Sequence, residues 1–137
     1  MPLPNGAGGY QLGDGNTSEP VMGYAPAPAT ATVTATLTPA QVTSGILLGS
    51  PGTSAAAYTL PAVSDLEASA LSSAKVGSTF DLSVINVDGS SSGVITMTAG
   101  TGWTIVGLAT IVATAGTAQL FRARKTSATT WTLYRIA

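Results

Sequence analysis

The sequence predicts an all-β fold: a jelly-roll-like β-sandwich with one short helix and an extended N-terminal arm. Three observations carry this expectation. Residues 30–37 alternate strictly between small or apolar side chains and threonine, which is the period of a half-buried strand. Beyond residue 77, β-branched runs are separated by Gly, Ser and Asp clusters, the spacing of short strands joined by turns. Residues 1–29 show no apolar period at all.

Those first 29 residues hold five of the eight prolines and six of the sixteen glycines. Proline stiffens and glycine loosens a chain, and neither leaves a stripe of side chains from which to build a core. The domain reading is therefore an extended Gly/Pro-rich N-terminal arm over 1–29 and a β-sandwich domain over 30–137. Within the arm, Asn5-Gly6-Ala7-Gly8-Gly9-Tyr10 and Gly13-Asp14-Gly15-Asn16 favour turns. No strand signal precedes these glycines and no Gly-Lys-Ser/Thr follows, so they do not read as a phosphate loop. Asp14 and Asn16 supply two oxygen ligands, far short of a calcium site, and an Asx-type turn accounts for them.

The first strand runs from Thr30 to Leu37, with Ala31, Val33, Ala35 and Leu37 on one face and Thr30, Thr32, Thr34 and Thr36 on the other, and Pro39 stops it. Ile46-Leu47-Leu48 and Tyr58-Thr59-Leu60 form two short strands around the Gly49-Ser50-Pro51-Gly52 loop. Ser64-Asp65-Leu66-Glu67 has the pattern of a capping box, with Leu66, Ala70 and Leu71 at helical spacing, so a helix of about two turns starts there. Phe80, Leu82 and Val84 alternate with Asp81 and Ser83, and Asp88-Gly89 turns this strand into a hairpin with Val94-Ile95-Thr96-Met97. Two more strands follow, at Trp103–Val106 and around Ile111-Val112 between Gly107 and Gly116. A final pair covers Gln119–Arg124 and Thr130–Arg135, and the expected total is seven to nine strands.

Composition narrows the function. Charged residues are 8% of the chain and hydrophobic ones 45%, so small polar residues supply the solubility, and such a chain suits burial against copies of itself or a partner. With no histidine and no cysteine, the Ser-His-Asp and Cys-His arrangements, thiolate and imidazole metal sites and disulfides are excluded. No cofactor or metal is expected. Two of Asp65, Glu67, Asp81 and Asp88 could serve as a paired acid and base for glycan cleavage. The expected place of Asp65 and Glu67 in a first helical turn fits favourable interaction with the helix dipole better.

All six carboxylates precede residue 89, whereas Arg122, Arg124, Lys125 and Arg135 fall in the last sixteen residues. Arg122, Arg124 and Lys125 form a candidate basic contact patch. Nucleic acid is not the expected partner, because its binders carry a broader basic footprint with interleaved aromatics. Trp103 and Trp131 could stack on sugars, but alternating strand positions place them in the core. The first cation is Lys75, too late for a secretory leader, so synthesis in a cytoplasm is expected. The uncharged run from Trp103 to Phe121 is broken by Gly107 and Gly116 and carries four threonines; it reads as two strands and not as a membrane span.

Several blocks together resemble a known family. They are Pro4-Asn5-Gly6-Ala7-Gly8-Gly9-Tyr10-Gln11-Leu12-Gly13-Asp14-Gly15-Asn16, Leu60-Pro61-Ala62-Val63, Lys75-Val76-Gly77-Ser78-Thr79-Phe80-Asp81-Leu82, Ala99-Gly100-Thr101-Gly102-Trp103-Thr104 and Phe121-Arg122-Ala123-Arg124-Lys125-Thr126, closing on Trp131-Thr132-Leu133-Tyr134-Arg135-Ile136. The chain is similar to the capsid decoration (cement) proteins of tailed bacteriophages. That resemblance implies a jelly-roll sandwich on the outer surface of the virion head, a homodimer or homotrimer made in the host cytoplasm, bridging neighbouring major capsid proteins. It implies no enzyme activity and no membrane partner. An arm without its own core folds on a partner, which makes Asn5, Tyr10, Gln11, Leu12, Asp14 and Asn16 the expected capsid-contact residues. The alternative is a receptor- or glycan-binding module of a virion fibre, with the tryptophans and the Ser90–Gly93 loop facing the ligand.

Overall fold

The computed structural model describes residues 23–137. Most of the arm, including Asn5, Tyr10, Gln11, Leu12, Asp14 and Asn16, lies outside the described residues. The described chain is mostly β-sheet. It runs β1 (Ala29–Ala31), β2 (Ala35–Thr36), α1 (Pro39–Val42), β3 (Ile46–Gly49), β4 (Ala56–Thr59), α2 (Val63–Ser69), β5 (Thr79–Asn86), β6 (Ile95–Thr98), β7 (Trp103–Val106), β8 (Thr110–Ile111), β9 (Thr117–Lys125) and β10 (Trp131–Arg135). The strands form a six-stranded sheet, in the order β1-β3-β5-β9-β10-β7, and a four-stranded sheet, in the order β2-β4-β6-β8.

Through β6 the chain crosses from one sheet to the other after every strand. Each strand then pairs in parallel with the one laid down a turn earlier, β1 with β3 and β3 with β5 on one side, β2 with β4 and β4 with β6 on the other. The chain thus winds as three stacked coils. Antiparallel ladders enter only with β8 against β6, β9 against β5 and β10 against β9, and β7 closes the wide sheet parallel to β10. A jelly roll is built of antiparallel strands, so the ladders depart from the connectivity expected for one. Side-chain alternation is the same in parallel and antiparallel strands, and could not have told them apart.

Three local expectations are revised by the same winding. The strand expected over residues 30–37 is two strands in different sheets, with a corner at Thr32–Thr34. That corner is fixed from across the core. The Tyr58 hydroxyl lies 3.1 and 3.0 Å from the carbonyl oxygens of Ala31 and Thr32, and Thr34 Oγ1 accepts the Ala57 N–H. The hairpin expected at Asp88-Gly89 is a crossover from β5 to β6, which lie in different sheets. The run from Trp103 to Phe121, expected as two strands, holds β7, β8 and the start of β9.

The helix starts also differ. α2 begins at Val63 with Ala62 at its N-cap and no side-chain cap, so Ser64 lies inside the helix and caps nothing. The capping box is at α1, where Thr38 Oγ1 accepts the Gln41 N–H and Gln41 Oε1 accepts the Thr38 N–H. Pro39 occupies the first helical position, where its missing N–H costs nothing. It therefore ends a strand by starting a helix.

The core lies between the sheets. Leu47, Leu82, Val84, Phe121 and Leu133 from the wide sheet meet Tyr58, Ile95, Met97 and Ile111 from the narrow one, with Val42, Leu60 and Leu66 from the helices and connections. Each of these side chains removes about 1.5–3 kcal/mol worth of apolar surface from water. Trp103 and Trp131 belong to this core, as expected from their strand positions, with ring centroids 6.0 Å apart.

Candidate interaction surface

β9 sorts the candidate basic residues by the alternation of its side chains. Phe121, Ala123 and Lys125 point into the protein, and Arg122 and Arg124 point out of the wide sheet. The three cations therefore do not share a surface. Lys125 is 7% exposed; its Nζ donates to Glu67 Oε1 of α2 and lies 3.4 Å from the Ala74 carbonyl oxygen. Trp131 Nε1 donates to the same Glu67 oxygen at 3.0 Å. Hydrogen bonds from Lys125 first and Trp131 second hold the Glu67 carboxyl below its ordinary range. The sequence reading of Lys125 as a contact residue is corrected here, because strand alternation turns it inward and an ion pair holds it there.

Arg122 grips Asp81 of the neighbouring β5 with two parallel bonds, Nε to Oδ1 at 2.8 Å and Nη2 to Oδ2 at 3.2 Å. The register places these two residues directly opposite each other. The Arg122 guanidinium lowers the Asp81 pKa, although both side chains remain about half exposed. Arg124 also faces outward and makes no ion pair among the described residues.

The outward face of the wide sheet divides in two along the strands. One half carries Thr79, Asp81, Arg122 and Arg124, in rows that continue through Thr132 and Tyr134 of β10 to Val106 of β7; the other carries Ile46 and Leu48 of β3, Ile85 of β5 and Leu120 of β9. In register, Leu48 stands beside Ile85 and Ile85 beside Ala118, while Ile46, Ser83 and Leu120 form the next row. Ile136 continues that row, its N–H bonded to the Leu120 carbonyl. The narrow sheet presents a different surface: Thr36, Thr59 and Thr98 stand in one row, with the Thr59 and Thr98 hydroxyls 2.6 Å apart.

The carboxylates that could have served catalysis are mostly engaged elsewhere. Glu67 holds Lys125 and Trp131, Asp81 holds Arg122, and Asp88 accepts the Gly52 N–H at 3.1 Å. Among the described residues, no three His, Cys, Asp or Glu residues gather as a metal site would require. A cleft of about 270 Å³ opens beside Val63, Glu67, Gly102 and Thr129, with Glu67 as its one ionisable group. No helix among the described residues is long and apolar enough to cross a membrane.

What sequence reasoning missed was the role of Asn86. It is fully buried at the end of β5; its amide nitrogen donates to the Gly93 and Val112 carbonyls, and its Oδ1 accepts the Gly89 N–H. The signal was a lone amide at an inward position of a strand, since a buried amide requires partners for each of its polar atoms. No family model, no curated protein and no solved structure matches this chain.

Proposed function

We propose that this chain is a structural, non-enzymatic virion protein that binds the outside of a tailed-phage head as a homo-oligomer and cements neighbouring major capsid proteins. One observation carries the reading: the wide sheet turns apolar and charged side chains outward, a face suited to holding copies of a homo-oligomer together, while most of the described carboxylates are engaged in internal bonds. Surface area across a joint is what a cement protein contributes, and it requires no cleft chemistry. Many copies on a closed shell then combine weak single contacts by multivalency. The resemblance of the sequence blocks to decoration proteins supplies the phage context, and the arm residues from Asn5 to Asn16 are the proposed capsid contacts. Jelly-roll connectivity is not required for this role.

Burial of Trp103 and Trp131 leaves the competing glycan-binding module without its stacking platforms, so only the Ser90–Gly93 loop remains to it. Incubation of the protein with undecorated heads, followed by imaging, is the test. Density over the shell in copy numbers comparable to the major capsid protein is the expected result. Density confined to a handful of fibre positions, or none, would refute the proposal.

A further inference from the structure

Building on the self-association proposed above, we infer that the outward face of the wide sheet is where two copies of this chain associate, face to face about a two-fold axis that runs parallel to the strands between β5 and β9. The geometry follows from how the face is divided. A two-fold parallel to the strands keeps each row of side chains opposite the same row of the other copy and exchanges the columns. The row of Ile46, Ser83, Leu120 and Ile136 then lies on the same row of the other copy, with Ile46 over Ile136 and Leu120 over Ser83, and Ile85 of the next row lies over Ala118. The charged rows also meet, and because β5 and β9 exchange places, Asp81 of each copy faces Arg122 of the other. A two-fold running across the strands would set the charged half against the apolar half and bury Arg122 and Arg124 on leucine and isoleucine, a costly arrangement.

Size supports the same occupant. The six strands are of unequal length, from three residues in β1 to nine in β9, and at about 4.8 Å by about 3.3 Å per residue they give a face of about 500 Å² per copy. That is the size of a weak, reversible contact. The face remains accessible: Ile46 and Ile136 are 40% and 52% exposed, and Leu48, Ile85 and Leu120 are half-buried. An apolar patch flanked by polar and charged side chains is common in such contacts. The narrow sheet, with its threonine rows, has no comparable apolar patch.

The test uses full-length protein, measuring mass across a micromolar dilution series with head binding followed on the same samples. The parent is expected to form dimers with a dissociation constant on the order of micromolar. Leu120→Lys should weaken the dimer by at least about tenfold, and Ile46→Lys, at the border of the patch, gives the same reading should the first variant fail to fold. Asp81→Arg should weaken association and the double exchange Asp81→Arg with Arg122→Asp should restore it. Val33→Lys, at the exposed corner between β1 and β2, should change nothing. A parent that stays monomeric, or a dimer unmoved by both lysine variants, overturns the assignment. So does a variant that loses thermal stability without any change in mass, which would give the face to the chain's own residues. A monomer that still decorates heads removes this interface and leaves the cement role standing; a dimer that does not bind heads does the reverse.

Discussion

The indole N–H of Trp131 donates to Glu67 at 3.0 Å, across 64 positions of sequence, and the oxygen that accepts it also takes Lys125. One carboxylate thereby ties α2 to the hairpin of β9 and β10. The side chains of Lys125 and Glu67 are 9% and 23% exposed, so the pair is largely withdrawn from water, and breaking it strands a charge.

Glu67→Gln keeps the shape and removes the charge. It is expected to cost about 2–4 kcal/mol, somewhat less than the loss of a fully enclosed pair, because Glu67 retains some solvent contact. Chemical denaturation beside the parent measures it. A change under about 0.5 kcal/mol, the range of ordinary surface substitutions, would show that the pair contributes nothing.

Stability should fall in acid for a related reason. Glu67 and Asp81 are both held below their ordinary pKa values in the folded chain. Their contribution is complete above the unfolded values, about pH 5 and higher, and is lost as pH descends through the folded values, because the unfolded chain then binds the protons more readily. Melting temperature followed downward from pH 6 should decline, and more shallowly in Glu67→Gln. An identical profile for the two proteins would remove Glu67 as a source of the acid sensitivity.

Asn86→Ala should leave the Gly89 N–H and the Gly93 and Val112 carbonyls without their partner, at about 2–4 kcal/mol for a group of buried bonds. Amide exchange at Gly89 reports the site directly. It should become faster in the variant even under conditions where the parent is folded. Unchanged protection at Gly89 would mean that backbone packing alone holds the crossover.

Arg124 and Lys125 are neighbours in sequence with opposite expected phenotypes. Arg124→Ala should leave stability within about 0.5 kcal/mol and weaken association between copies. Lys125→Ala should lower stability, since Glu67 loses the cation it is paired with and keeps only the Trp131 N–H. Equal effects of the two on folding would contradict the inward and outward assignment along β9.

Removal of residues 1–22 separates folding from attachment. The first described strand begins at Ala29, and the core described above is assembled downstream of it, so β-rich circular dichroism and most of the melting temperature should remain. Binding to undecorated heads should fall at least about tenfold, or about 1.4 kcal/mol per site. Loss of the fold would instead mean that the arm completes the sandwich.

The sequence alone determined the β-class of this protein, the positions of most strands and the burial of Trp103 and Trp131. Each rests on a period-two pattern or a turn residue, and these act over a few neighbouring positions. Alternation at Phe80, Leu82 and Val84 is enough to place one face of β5 inside. The tertiary structure decided which strands became neighbours. The corner at Thr32–Thr34, which an unbroken alternation hides, depends on Tyr58 reaching back 26 and 27 residues. Lys125 was legible as a cation and illegible as a buried one, because its partner Glu67 is 58 residues away. Parallel winding was likewise beyond the pattern, since a strand presents the same alternating faces whichever way its neighbour runs. The divided face of the wide sheet exists only once β3, β5 and β9 stand in register, for it is assembled from single outward residues of strands that are distant in the chain.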